Sequence, residues 1–295
     1  MRIARFAAGD EVSYGLVGTA RQASAGAGGG EIIAELAGHP FGGKDSTRLT
    51  GTTYPVSDVR LLAPVLPTKV IGFGVGGHEG TGGTGGELDG GSVLYLKPST
   101  AVCGPGDPVR YPAGTQRVEA EGELAVVIGR LCRQVPPSQA AAVIFGYTCA
   151  LNVAARDLAE RDGQWARAVG FDTFCPLGPW IETGAEAGDL ALSTSVNGEV
   201  RAVIPAPALR SSHPRASRPP PLGAHPRSVR LRRDVPALVA YASSVMTLLP
   251  GDVLLAGAPV GDGALPAAGP LEPGDEVSVT IEGIGTLTNK VDKGD

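Results

Sequence analysis

The stretch Val118-Glu-Ala-Glu-Gly-Glu-Leu-Ala-Val-Val-Ile-Gly129 runs three alternating acids straight into an apolar segment, and few folds accommodate that. Alternation is the spacing of a β-strand, in which side chains two apart project from the same face about 7 Å from each other. Glu119, Glu121 and Glu123 therefore form a row of carboxylates on one face. The run Leu124–Ile128 that follows is apolar on both faces, which predicts a strand entering a core. Carboxylates carried toward a core need a positive partner. A hard divalent cation such as Mg²⁺, Mn²⁺ or Ca²⁺ takes oxygen ligands, and two carboxylates from one strand supply half of such a site. The other reading of these residues is an edge strand whose acidic face is solvated.

With 295 residues the chain is long enough for one large domain, or a small and a larger one, with ample core. A hydrophobic content of 42% and a net charge of -5 predict a soluble, mildly acidic protein. The first ten residues, MRIARFAAGD, hold no apolar leader, and no stretch of about 18 apolar residues follows, so the expectation is a cytoplasmic protein with no membrane partner. Cys103, Cys132, Cys149 and Cys175 are widely spaced with no Cys-x-x-Cys pair, which argues for reduced, buried thiols rather than a zinc ribbon or redox motif. Gly 44 and Pro 25 are well above their usual shares and favour short strands joined by many turns. The expected class is a strand-rich α+β protein.

Along the chain, Arg2–Phe6, Glu11–Val17 and Glu31–Leu36 read as short strands of a small N-terminal α+β module spanning 1–66, with 37–60 polar and irregular. The main domain, 67–295, opens on the strand Lys69–Gly74. Residues 71–91 hold eleven glycines, and although Gly72–Gly77 satisfies G-x-G-x-x-G, no helix can follow it, so a dinucleotide site is rejected. Val93–Lys97 reads as a strand, 136–144 as a helix opened by prolines, 146–153 as a strand and 154–164 as a helix carrying Arg156 and Asp157. Asn197-Gly198 marks a hairpin between 190–196 and 199–203. Residues 234–246 read as a helix with Asp234 as its cap, and 250–257, 276–282 and 285–291 as strands.

Residues 201–233 differ from the rest, with eight arginines, seven prolines and no acid. A basic arm for nucleic acid would explain the charge. No aromatic residue interleaves the arginines and no nucleic-acid motif accompanies them, so an insertion without fixed structure is the preferred reading and a nucleic-acid partner is not expected. A local reading-frame scramble would leave the same composition.

Leu96-Lys-Pro-Ser-Thr, Glu121-Gly-Glu-Leu-Ala-Val-Val-Ile-Gly, Phe145-Gly-Tyr-Thr, Ala155-Arg-Asp-Leu, Gly170-Phe-Asp-Thr-Phe-Cys-Pro-Leu-Gly-Pro-Trp, Met246-Thr-Leu-Leu-Pro-Gly-Asp-Val and Ile281-Glu-Gly-Ile-Gly-Thr-Leu, in this order, resemble the fumarylacetoacetate hydrolase family. The resemblance implies a mixed β-sandwich roll behind a small N-terminal module. It also implies a Mg²⁺ or Mn²⁺ enzyme, commonly a homodimer, that hydrolyses C–C bonds of, decarboxylates or isomerises small oxo or enol acids.

Carried over residue by residue, the resemblance puts the metal carboxylates on Glu121 and Glu123 and the third ligand, an aspartate in the family, on Asn152. Its base falls on His78, but the glutamate expected three residues on is Thr81; Glu79 and Glu87 do not have the spacing. A lysine expected before Gly170 is Val169, and a threonine expected after Gly257 is Ala258. Two functions of different class follow. One is a metal-dependent family enzyme with an eroded site, in which Glu121, Glu123 and Asn152 hold the ion and His78 moves a proton. The other is a catalytically silent homologue kept for binding or assembly.

Overall fold

A computed structural model of the chain describes residues 1–19, 30–42, 47–75, 92–186, 190–204, 235–256 and 269–294. The N-terminal segment forms β1 (Arg2–Ala8), β2 (Glu11–Thr19), β3 (Glu31–Leu36), β4 (Leu49–Pro55) and β5 (Arg60–Leu62), with a 3-10 turn at Val56–Asp58. Next come β6 (Val70–Val75), β7 (Ser92–Lys97), β8 (Val102–Cys103), β9 (Val109–Tyr111), β10 (Val118–Ile128) and β11 (Ile144–Ala155). Helices α1 (Arg156–Asp162) and α2 (Ala166–Val169) lead to β12 (Cys175–Glu182) and the hairpin β13 (Leu192–Val196) and β14 (Glu199–Ile204). The chain closes with α3 (Val235–Val245), β15 (Val253–Leu255), β16 (Pro270–Leu271), β17 (Glu276–Ile281) and β18 (Gly285–Lys293).

Two sheets make the strand-rich α+β roll. A 13-stranded sheet runs β4-β3-β2-β1-β12-β11-β10-β15-β6-β7, with β5, β8 and β16 on side branches, and a 5-stranded sheet runs β14-β13-β17-β18-β9. Both are mixed, since β6 pairs β15, β8 pairs β12 and β9 pairs β18 in parallel among otherwise antiparallel neighbours. The N-terminal strands join the large sheet edge to edge through β1 and β12.

β10 and β11 form the spine. Their register runs from Val118↔Ala155 to Ile128↔Ile144. Alternation then divides β10. Val118, Ala120, Leu124, Val126 and Ile128 lie on one face, in a core that also holds Val277, Val279, Ile281 and Leu287 of the small sheet. Ala125 and Val127 face the other way, with Ala150, Leu177 and Leu255. At Gly122 the two sheets come close: a Cβ there would lie 2.2 Å from Thr194 Oγ1 and 2.9 Å from Val279 Cγ2.

Several expectations change. β10 is not an edge strand; β11 flanks it on one side, β15 and β16 on the other. Within 37–60, Leu49–Pro55 is not irregular but forms Thr-rich β4, ordered by pairing with β3. The helix expected at 136–144 is instead a 3-10 segment, Pro137–Ala142, whose N–H groups reach carbonyls three residues back, as Gln139 does to Pro136 and Val143 to Ala140. β12 was not expected as a strand at all. Pro176 and Pro179 remove two donors, and β12 pairs β11 through an irregular register between Tyr147 and Cys149.

All four cysteines are buried and free, as expected. Arg201–Ile204 completes β14, while the remainder of the basic segment and Asp234 lie outside the described residues. No helix among the described residues is long and apolar enough to cross a membrane.

Candidate active site

The three glutamates share a face of β10, as their spacing predicts, and continue the line of Ala125 and Val127. Opposite residues of an antiparallel pair also share a face, so Ala154, Asn152 and Ala150 of β11 stand across from Glu119, Glu121 and Glu123. Asn152 thus lies directly opposite Glu121 and diagonal to Glu123. Its side chain reaches along that diagonal, and Nδ2 donates to Glu123 Oε1 at 2.8 Å. The same Nδ2 donates to Tyr95 Oη at 2.6 Å. Asn152 Oδ1 is buried and has no hydrogen-bond partner among the described residues.

The positive charge that the acidic row requires comes from the chain itself. Arg156, the first residue of α1, is brought over the row where β11 ends, and its Nη2 donates to Glu121 Oε1. Its Nε lies 3.3 Å from Glu119 Oε2, an ion pair without hydrogen-bond geometry. Arg117 Nε donates to Glu119 Oε1 at 2.7 Å. The Arg156 guanidinium also stacks on Trp165, 5.2 Å from the ring centroid, and Trp165 stacks on Tyr95 at 5.8 Å. Neighbouring Asp157 holds the start of α1 in place by accepting from Thr115 Oγ1 and from the Gln116 N–H at 3.0 Å. Burial works to raise its pKa, but these hydrogen bonds outweigh that and leave the carboxyl below its ordinary value.

Beneath this layer lies Lys97, completely buried at the end of β7. Its ammonium donates to the carbonyls of Val153 at 2.7 Å, Phe174 at 3.0 Å and Val169 at 3.3 Å. Three N–H groups meet three acceptors. Burial pulls its pKa down to about 8, against the raising influence of Cys175, Glu123 and Glu121. The sequence signal was present: alternation in β7 puts Tyr95 and Lys97 on the buried face and leaves Leu96 exposed, an inversion that marks the lysine as internal.

Glu121, Glu123 and Asn152 are therefore brought together, whereas His78, Thr81 and Ala258 lie outside the described residues. Among the described residues no three His, Cys, Asp or Glu side chains gather as a ready metal cluster. Two carboxylates and an amide oxygen without a partner among the described residues, all on one face, nonetheless fit the oxygen preference of a hard cation. Missed in the sequence were the roles of Tyr95, Lys97 and Trp165, and the engagement of Arg156 with Glu119 and Glu121.

The family model described as fumarylacetoacetate (FAA) hydrolase C-terminal matches residues 83–205 and 225–292, and one described as Rv2993c-like, N-terminal matches 1–64. Protein Rv2993c of Mycobacterium tuberculosis is 43% identical over 99% of this chain and 98% of its own length. Among solved structures, 5-carboxymethyl-2-hydroxymuconate delta-isomerase from Mycobacterium smegmatis is 42% identical, with TM-score 0.76, covering 99% of this chain and 100% of that one. Maleylpyruvate hydrolase from Sphingobium sp. SYK-6, crystallised with manganese(II) and pyruvate, is 28% identical with TM-score 0.68, each chain covered to 100%.

Proposed function

Because this chain belongs to the fumarylacetoacetate hydrolase family, we propose that it is a divalent-cation-dependent enzyme acting on small oxo or enol carboxylic acids. Relatives with isomerase and hydrolase names act, by those names, on 2-hydroxy-ene acids or pyruvate derivatives, which are two faces of enolisable 2-oxo acid chemistry. C–C hydrolysis and decarboxylation of such acids release the enolate of a 2-oxo acid, and isomerisation moves a proton through the enol of the intact acid.

The observation that carries this reading is that half-buried Glu121 and buried Glu123 share a face with an Asn152 amide oxygen that has no partner among the described residues. In our reading these three groups hold Mg²⁺ or Mn²⁺, with Ca²⁺ also suited to the donors. The ion, when bound, supplies a Lewis acid for the two oxygens of a 2-oxo acid. Arg156 orients Glu121, Lys97 ties the backbone of Val153 to that of Val169, and His78 is in our reading the base that moves the substrate proton. We assign the working form as a cytoplasmic homodimer.

Titrating Mn²⁺ into wild type and Glu121→Ala by calorimetry tests the reading. Saturable heat in wild type that is lost in the variant is expected; equal heats would remove the ion from this pocket. One observation favours the silent-homologue alternative: the position where the resemblance puts a substrate lysine is Val169, buried and apolar. Under that alternative Mn²⁺ binds but oxaloacetate and acylpyruvates are not turned over.

A further inference from the structure

We propose that Asn152 is a positioning residue that lets Glu121 and Glu123 stand together without a bound cation, so that the ion enters a pocket already complete in its fold. This rests on reading that pocket as the ion site. A primary amide has two N–H donors and one oxygen acceptor. Asn152 uses its nitrogen twice, toward Tyr95 Oη and Glu123 Oε1, which leaves Oδ1 as the side chain's remaining polar atom, buried and without a partner among the described residues. The opposite amide orientation would press Oδ1 against the carboxylate oxygen of Glu123, so chemistry selects the observed one.

An aspartate here has nearly the same shape and no N–H. It would bring a third carboxylate within hydrogen-bond reach of Glu123 and directly across from Glu121, a juxtaposition that costs stability unless a cation stands between them or a proton is taken up. The rest of the row is handled in the same manner. Glu121 takes Arg156, and Glu119 takes Arg117 with Arg156 alongside. Every carboxylate of the row thus has a donor from this chain.

Tyr95 completes the device. Its ring is held over Gly72, where a Cβ would stand 2.2 Å from ring atoms, and against Trp165. The glycine that opens the apparent dinucleotide motif therefore serves the aromatic ring that holds Asn152.

The test compares melting temperatures of wild type, Asn152→Asp and the double variant Asn152→Asp with Glu123→Gln, each in EDTA and in saturating Mn²⁺. The single variant is expected to melt lower than wild type in EDTA by about 5 °C or more. The double variant returns a donor from the opposite side and is expected to recover most of that loss. A single variant as stable as wild type in EDTA, or a double variant no better than the single one, overturns the proposal. So does a wild type that loses as much in EDTA as the single variant. If Mn²⁺ shifts no variant while the EDTA pattern holds, the positioning role stands and the metal reading falls.

Discussion

Lys97 carries its ammonium to the backbone carbonyl of Val169, 3.3 Å away, at the residue where the resemblance puts a substrate lysine. The positive charge is thus retained near Glu121 and Glu123 but is delivered from β7, below the pocket, and is spent on backbone carbonyls.

Lys97→Met is expected to lower stability by at least about 2 kcal/mol, because Val153 and Val169 lose a buried partner for their carbonyls. The effect depends on pH with a definite sign. Burial holds the folded-state pKa near 8, below the ordinary 10.5, so between these values the unfolded chain binds more protons. Lys97's contribution therefore grows as pH rises through that window and is lost as pH falls through 8. Urea unfolding at pH 7.5 and pH 10 (about neutral and about the upper end of the window) should show the gap between wild type and variant widening. Cys175, Glu123, Glu121 and Arg156 act on the same group, so a constant gap would mean that they, rather than burial, set its protonation.

Asn152→Asp is expected to tighten Mn²⁺ at least about tenfold, since a third full negative charge joins the ligand set. Calorimetric affinities decide this, and an unchanged value would mean that residue 152 does not face the ion.

Activity is expected to be weak in wild type and to rise when Asn152→Asp, Val169→Lys and Thr81→Glu are combined. A missing positive group worth about 3 kcal/mol slows turnover roughly a hundredfold. Oxaloacetate decarboxylation and acylpyruvate hydrolysis are the assays. Robust wild-type turnover contradicts the eroded-site reading.

Gly122→Ala is expected to cost about 1–3 kcal/mol without touching the ligand face, because the new methyl meets Thr194 and Val279 of the small sheet. Chemical denaturation measures it; Mn²⁺ affinity in the folded variant should stay near the wild-type value.

Asp157→Asn is expected to lower the melting temperature at neutral pH, with the deficit shrinking as the solution is acidified. The wild-type carboxyl sits below 3.8, so its contribution is complete above that value and disappears as pH falls through the folded-state pKa. A deficit that persists undiminished at low pH would point to lost packing instead.

Alternation and composition determined much of this protein by themselves. Period-two spacing put Glu119, Glu121 and Glu123 on one face, the apolar run after them marked a core strand, and Asn197-Gly198 marked the hairpin of β13 and β14. These features are local, and a strand's side-chain pattern follows from its backbone geometry alone. What stood opposite the acids was not local. Asn152, Arg156, Tyr95 and Lys97 come from other strands and a helix start, and their meeting depends on the β10–β11 register and on β7 lying across the sheet order from them. The sequence motif led toward a cation as the partner of the carboxylates; tertiary structure supplied two arginines and an amide. β12 was illegible for a related reason, since its two prolines contradict strand chemistry unless neighbours tolerate the missing donors, and only the irregular pairing with β11 decides that. Charge row and core strand were written in the spacing, but the partner of each buried charge was decided by which strands the fold places side by side.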